Sequence, residues 1–245
     1  MPSSQPCDPD SDPSTGPDSK ISTTASIQYW NTISPDVNGM LGGFPQISRI
    51  DLRGSLNFIT KLRRLSSNCH VRNAPKLLRA VDCGAGIGRV TEGFLTHVCD
   101  VVDVVEPVVK FAQVLEDGTL KQQEGKVGDV YVTGLQDWTP TKTYDLIWNQ
   151  WCVGHLTDTQ LVAYFKRCGA ALSEGGWLVV KENLSTHRFG EDIFDHVDSS
   201  VTRSDQKFRD LFREAGLQIV KAELQTGFPK GLGLYPVKMY ALRPK

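Results

Sequence analysis

The run Val81-Asp82-Cys83-Gly84-Ala85-Gly86-Ile87-Gly88-Arg89 constrains the fold more than any other stretch of this chain. It closes an apolar segment (Leu77, Leu78, Ala80, Val81) and opens one with helical patterning. Three glycines at alternate positions let the backbone turn sharply and let a ligand approach without meeting a Cβ. A strand that turns this way into a helix also leaves unpaired N–H groups at the helix start. The alternative is a tight turn that holds nothing. Downstream, strands are expected near 77–83, 100–106, 129–133, 144–149, 177–183, 217–224 and 236–243. Helices are expected near 88–98, 107–117, 158–172 and 203–215. Such alternation gives an α/β fold, a Rossmann-like seven-stranded sheet with helices on both faces. About eleven residues without helical pattern, including Pro229 and Leu234-Tyr235-Pro236, separate the last two strands. The last strand is therefore expected to be antiparallel.

Glu106 follows Gly84 by 22 residues and ends a second apolar run, Asp100-Val101-Val102-Asp103-Val104-Val105. In a doubly wound sheet an acid at that point lies beside the first turn and can accept hydrogen bonds from both ribose hydroxyls of an adenosine. A solvated strand-end carboxylate is the plainer explanation. The pairing of turn and acid suits NAD and S-adenosylmethionine equally. Three features favour the second: a long segment before the first nucleotide strand, the polar Leu135-Gln136-Asp137-Trp138 stretch after the third, and Leu172-Ser173-Glu174-Gly175-Gly176-Trp177 as a helix-to-strand turn before Leu178-Val179-Val180. Their placement resembles that of class I methyltransferases.

With 245 residues and ordinary apolar content, the chain suits one domain with a sizeable core. The net charge of −1 offers no global attraction to nucleic acid or anionic membranes. No apolar run approaches the roughly 20 residues needed to span a bilayer, and the start lacks a basic-then-apolar leader pattern. Cys7, Cys69, Cys83, Cys99, Cys152 and Cys168 are scattered without a C-x-x-C pair. They read as reduced thiols, which argues for a cytoplasmic or nuclear location and against a metal site. Residues 1–20, rich in Pro, Ser and Asp, are expected to be a disordered tip, and 21–245 a single domain. Within it, 21–70 reads as a helical cap (Ile27, Tyr29, Trp30, Ile33; then Leu52, Leu56, Phe58, Ile59, Leu62, Leu65) and 77–245 as the core. Between the two cap helices, Asn38-Gly39-Met40-Leu41-Gly42-Gly43-Phe44 is too glycine-rich for a helix.

Several segments carry a specific resemblance: Asp82 to Val90, Gly134-Leu135-Gln136-Asp137-Trp138-Thr139-Pro140, Ile147-Trp148-Asn149-Gln150-Trp151-Cys152-Val153-Gly154-His155-Leu156, and Asp198-Ser199-Ser200-Val201-Thr202-Arg203. Together with Tyr29-Trp30 and Asp36 to Gly43 in the cap, they resemble the protein N-terminal α-amino methyltransferases over roughly residues 25–243. That family methylates the exposed α-amine of chains beginning X-Pro-Lys after methionine removal. The resemblance implies S-adenosylmethionine as cofactor, S-adenosylhomocysteine as product, and Gly84, Gly86, Arg89, Glu106, Leu135, Gln136 and Gln150 as cofactor contacts. It implies acceptor contacts from Trp30, Leu41, Trp151, Asn183, Asp195, Asp198, Ser200 and Tyr235. Asp195 and Asp198 would hold the lysine ammonium and the acceptor amine, Asn183 the peptide backbone, and Tyr235 would gate the site. Glu106 stands where many members carry Asp, and Gly233 where some carry an acid. The implied partners are N-terminal tails such as those of ribosomal proteins, with a monomeric enzyme and neither nucleic acid nor membrane involved.

The residues themselves leave choices open. Arg89, opening the first helix, can clamp a methionine carboxylate or cover the sheet as a surface arginine. Gln150 ends the fourth strand, the usual ligand edge of open α/β sheets. Trp151 is either a flat wall for a proline ring or a core tryptophan. His155 precedes a helix N-cap at Thr157 or Asp158 and is either structural or catalytic. The acidic run Glu191-Asp192-Ile193-Phe194-Asp195-His196-Val197-Asp198 is a solvated loop or a wall over the site. Chemistry favours a chain terminus as acceptor, since roughly a tenth of an α-amine is already neutral at pH 7 while a lysine ammonium titrates near 10.4. Asp198 is expected to orient the ammonium and take its proton, with His155 as partner or relay. The competing functions are a small-molecule amine methyltransferase, a non-catalytic S-adenosylmethionine-binding subunit and, more remotely, a NAD-dependent oxidoreductase.

Overall fold

The computed structural model describes residues 16–66, 68, 72–118 and 125–245. Residues 1–15 of the expected tip, together with Cys7 and Cys69, lie outside the described residues. The described end of the expected tip is ordered: Pro17–Lys20 form a 3-10 turn, and Asp18 Oδ2 accepts a hydrogen bond from Asp158 N at 2.9 Å.

The strands are β1 (Leu77–Cys83), β2 (Cys99–Val105), β3 (Val127–Tyr131), β4 (Tyr144–Gln150), β5 (Leu172–Asn183), β6 (Ile193–Asp195), β7 (Ser200–Thr202), β8 (Leu217–Leu224) and β9 (Val237–Pro244). Seven of them form one sheet in the order β3-β2-β1-β4-β5-β9-β8, while β6 and β7 form a separate hairpin. The first five sheet strands pair in parallel and β9 runs antiparallel to both β5 and β8. The order reverses between β1 and β4, and ligands in open α/β sheets lie at such a point, outside the carboxyl ends of the strands.

The helices are α1 (Thr23–Thr32), α2 (Val37–Met40), α3 (Ser48–Leu65), α4 (a π-helical turn Thr91–Leu95 continued by Thr96–Val98), α5 (Val109–Asp117), α6 (Asp158–Ala170) and α7 (Asp205–Glu214). On one face of the sheet, Phe58, Ile59 and Leu62 of α3 and Phe94 and Leu95 of α4 pack against Ala80, Val102, Leu146, Trp148 and Val179. On the other, Leu161 and Phe165 of α6 and Phe208 and Phe212 of α7 pack against Val81, Ile147, Leu178 and Tyr240. Burying each such side chain is worth about 1.5–3 kcal/mol. α3 is thus a sheet-flanking helix as much as part of a cap.

Two local expectations are corrected. The glycine-rich link still makes the single turn α2, because the Asp36 side chain caps it by accepting from Gly39 N at 2.8 Å. The segment 172–177 is not a turn ahead of the fifth strand but its first part. Tyr144 pairs with Leu172 and Leu146 with Trp177, so the intervening residues bulge out of register. Gly176 lies so close to β4 that a Cβ there would sit 2.9 Å from the Tyr144 carbonyl oxygen.

Candidate active site

The carboxyl ends of β1, β2, β4 and β5 open into a cavity of about 650 Å³, roofed by α1, α2 and the loop before β9. Its floor is the glycine turn. Gly84 and Gly86 have φ of +68° and +57°, and Cβ atoms there would fall 2.4 Å from Cys152 Cβ and 2.7 Å from Met40 Sδ. The glycines thus let Cys152 and Met40 pack directly against the turn, in a backbone conformation that L side chains rarely adopt. Glu106 closes the turn, its Oε2 accepting from Gly86 N at 2.7 Å and its Oε1 from Val108 N at 2.8 Å. Burial pushes its carboxyl up to about 7 against those two bonds. Each oxygen retains acceptor capacity for a ribose hydroxyl. Leu135 and Gln136 line the cavity beyond β3, and Arg167 of α6 fixes that loop by donating to the Leu135, Gln136 and Trp138 carbonyls at 2.9–3.0 Å.

Arg89 and Gln150 also line the cavity, and both are tied to Asp51 of α3, which does not. Arg89 Nη1 lies 2.8 Å from Asp51 Oδ2, and Gln150 Nε2 lies 3.0 and 2.8 Å from the two Asp51 oxygens. Lys181 of β5, wholly buried, completes the cluster at 2.5 Å from Asp51 Oδ1. Lys181 and Arg89 together hold the Asp51 carboxyl below its usual range even though burial acts the other way.

The same cavity is lined by Trp30, Leu41, Trp151, His155, Asn183, Asp198, Ser200 and Tyr235. Trp151 follows β4 with a φ of +53°, rare for a bulky residue, and the Arg89 guanidinium lies 5.6 Å from its ring centroid. Glu182 holds the turn that follows by accepting from Cys152 N and Val153 N at 2.8 and 3.0 Å. Burial raises its carboxyl to about 7. The Trp151 indole N–H and Asp198 Oδ1 are buried without a hydrogen-bond partner among the described residues. Such groups are costly unless a ligand satisfies them.

His155 differs from the expected relay. Ser26 Oγ lies 2.9 Å from its Nδ1, and Trp30 Nε1 donates to its Nε2 at 3.2 Å. Nε2 is then the acceptor and Nδ1 carries the proton, a neutral imidazole with both nitrogens used by α1. Burial lowers its pKa, opposed by the Asp198 charge. The acidic run is likewise not a continuous wall. Asp192 Oδ1 caps Ser204 N at 2.8 Å, Glu191 reaches His187, and Asp195 is exposed outside the cavity lining with its Oδ1 taken by Val197 N. Asp198 alone of the four lines the cavity. Burial first, and then the charges of Asp198 and Asp195, raise the pKa of Tyr29 of α1.

Sequence reasoning missed Ser26, Asp51, Lys181, Glu182 and Arg203. Asp51 and Ser55 fall on the same helical face as Phe58, Ile59 and Leu62, and Lys181 and Glu182 end an apolar strand; polar residues in those registers were the available signal. Arg203, wholly buried, donates to the carbonyls of Val153 and Leu156 at 3.2 and 2.6 Å and to Asp158 Oδ1 at 2.9 Å. It clamps the 3-10 turn carrying His155 to the strand carrying Ser200. Thr157 is the N-cap of α6, in a capping box with Gln160.

Over residues 18–243 the chain matches a family profile described as AdoMet dependent proline di-methyltransferase. The chain belongs to this family. The methyltransferase is 47% identical to alpha N-terminal protein methyltransferase 1 of Schizosaccharomyces pombe, over 89% of this chain and 94% of that one. It is 39% identical to N-terminal Xaa-Pro-Lys N-methyltransferase 1-A of Xenopus laevis, over 88% and 92%. A SAM-dependent methyltransferase of Leishmania major, 36% identical, superposes with a TM-score of 0.78 over 95% of this chain and 85% of that one. Its fold is thus that of class I methyltransferases, and its cofactor is S-adenosylmethionine.

Proposed function

We propose that the methyltransferase transfers methyl groups from S-adenosylmethionine to the α-amine of protein chains beginning Xaa-Pro-Lys. One observation carries this reading: a single cavity runs from the glycine cradle to Asp198, whose Oδ1 is buried and unpaired among the described residues. The cradle suits the cofactor, with backbone for close approach, Glu106 for the ribose, and Arg89 and Gln150 for the methionine end. When bound, the cofactor supplies a methyl on a positively charged sulfur, ready for displacement by a neutral amine. The chain's own residues must bind the acceptor, orient it and remove its proton. Trp151 offers a flat face for proline, and Asn183 a hydrogen-bonding group for the peptide backbone. Asp198 draws the terminal ammonium into place and accepts its proton, which an α-amine with pKa near 7.7–8.0 gives up readily. Asp195 pairs with the lysine at position three. His155, with both nitrogens engaged, holds α1 over the site rather than relaying protons.

Ribosomal proteins with such processed starts are the proposed substrates of a monomeric enzyme in the cytoplasm or nucleus, with nucleic acid not a substrate. The small net charge supports the last point, and among the described residues no helix is long and apolar enough to cross a membrane.

The test is methyl transfer from labelled S-adenosylmethionine to peptides differing only in their first three residues. Ser-Pro-Lys and Ala-Pro-Lys starts should be labelled fastest, Pro-Glu starts slowest, and Asp195→Lys should narrow that gap. Equal labelling of all peptides, or labelling of small amines alone, would contradict the proposal.

A further inference from the structure

The Asp51 cluster joins α3, β4, β5 and the helix start at Arg89, yet neither Asp51 nor Lys181 reaches the cavity. Both are wholly buried, in positions where an unpaired charge is not tolerated. Lys181 has three N–H donors, and the structure gives it three acceptors: Asp51 Oδ1 at 2.5 Å, the Asp51 carbonyl at 3.0 Å and Ser55 Oγ at 2.9 Å. Ser55 donates in turn to the Asp51 carbonyl, so its oxygen is free to accept. That full complement of acceptors fits an ammonium.

Asp51 fixes the direction of Arg89 and Gln150, but a lone carboxylate against Arg89 would also cancel the guanidinium's charge. Lys181 removes that cancellation. Within this cluster one carboxylate and two cations leave a single net positive charge, with the buried Asp82 of β1 a further acid acting on Arg89, and of the two cations only Arg89 opens onto the cavity. We infer that Lys181 is a positioning residue for cofactor binding: from within strand β5 it offsets Asp51, so that Arg89 is both held in place and left with charge for the carboxylate of an amino-acid-bearing ligand. This rests on the reading that Arg89 faces the methionine end of the cofactor.

The probes are S-adenosylhomocysteine, which carries that carboxylate, and 5′-methylthioadenosine, which shares the adenosine and sulfur but lacks it. The readout is the dissociation constant of methylthioadenosine divided by that of S-adenosylhomocysteine, by calorimetry. Lys181→Met should weaken S-adenosylhomocysteine at least tenfold and methylthioadenosine less than twofold. Asp51→Asn/Lys181→Met, which removes both charges at similar volume and leaves Arg89 as the net charge, should bring S-adenosylhomocysteine back to within about threefold of wild type. If Lys181→Met does not fold, comparing Asp51→Asn with Asp51→Asn/Lys181→Met asks the same question, and loss of Lys181 should again lower the ratio. A ratio indifferent to Lys181 in both backgrounds, while Arg89→Ala collapses it, overturns the role of Lys181 alone. A ratio indifferent to Arg89→Ala overturns the placement of the carboxylate, and this inference with it. A merely structural lysine would lower the melting temperature and weaken both ligands alike.

Discussion

At the scale of single residues, the site separates groups that hold from groups that react. Asp198 keeps a buried oxygen unpaired, whereas His155 spends both nitrogens on Ser26 and Trp30. Asp198→Asn, which keeps shape but removes the proton acceptor, should cut turnover at least about a hundredfold with S-adenosylhomocysteine affinity unchanged. His155→Asn should cost less, because it loosens α1 rather than removing the base; single-turnover rates of the two variants rank them. Glu106 gives a pH signature. Its carboxyl sits near 7 in the free protein, and ribose hydroxyls donating to it favour the ionised form, so binding lowers that pKa and releases a proton. Affinity for S-adenosylhomocysteine should therefore rise roughly tenfold from pH 6 to pH 8. Glu106→Gln should bind more weakly and flatten the slope, as calorimetry across that range would show. The folded-state pKa lies above the ordinary carboxyl value, so the fold stability tied to Glu106 runs the other way. It is fully present below about 4.5 and lost as pH rises through about 7.

Among elements, the β6–β7 hairpin and the 3-10 turn Val153–His155 carry the acceptor side, and Arg203 is what joins them. Arg203→Lys keeps the charge but cannot span two carbonyls and a carboxylate. It should destabilise by about 1–3 kcal/mol for each buried acceptor left unpaired and lower turnover, while leaving S-adenosylhomocysteine affinity intact because the cradle lies on other strands. Thermal denaturation, calorimetry and turnover together check this. Much of this organisation was legible in the sequence: the glycine turn, Glu106 and the strand–helix alternation gave the parallel sheet, and the short link before β9 gave its antiparallel end. The structured turn Pro17–Lys20 was not legible, because the Asp18 contact with the α6 N-terminus comes from residues far apart in the chain. Nor was the early start of β5, where pairing with Tyr144 overrides the glycines. Asp51 and Lys181 escaped because a charge inside an apolar pattern reads as exposed until its partner on another element is known.

For the whole molecule, one cavity at the sheet edge joins the glycine turn to Asp198, roofed by α1, α2 and the loop before β9. In the proposed function, Asp198 selects for an amine that can lose its proton near neutral pH, and Asp195 for a cation two residues further on. Such an enzyme methylates the terminal amine even when a lysine side chain is offered beside it. The direct measurement is fragment-ion mass spectrometry of a Ser-Pro-Lys peptide after reaction with the enzyme and S-adenosylmethionine, with its N-terminally acetylated twin alongside. The predicted result is methyl mass confined to the terminal serine and none on the acetylated peptide. Methyl mass on the lysine side chain, or on the acetylated peptide, would contradict it.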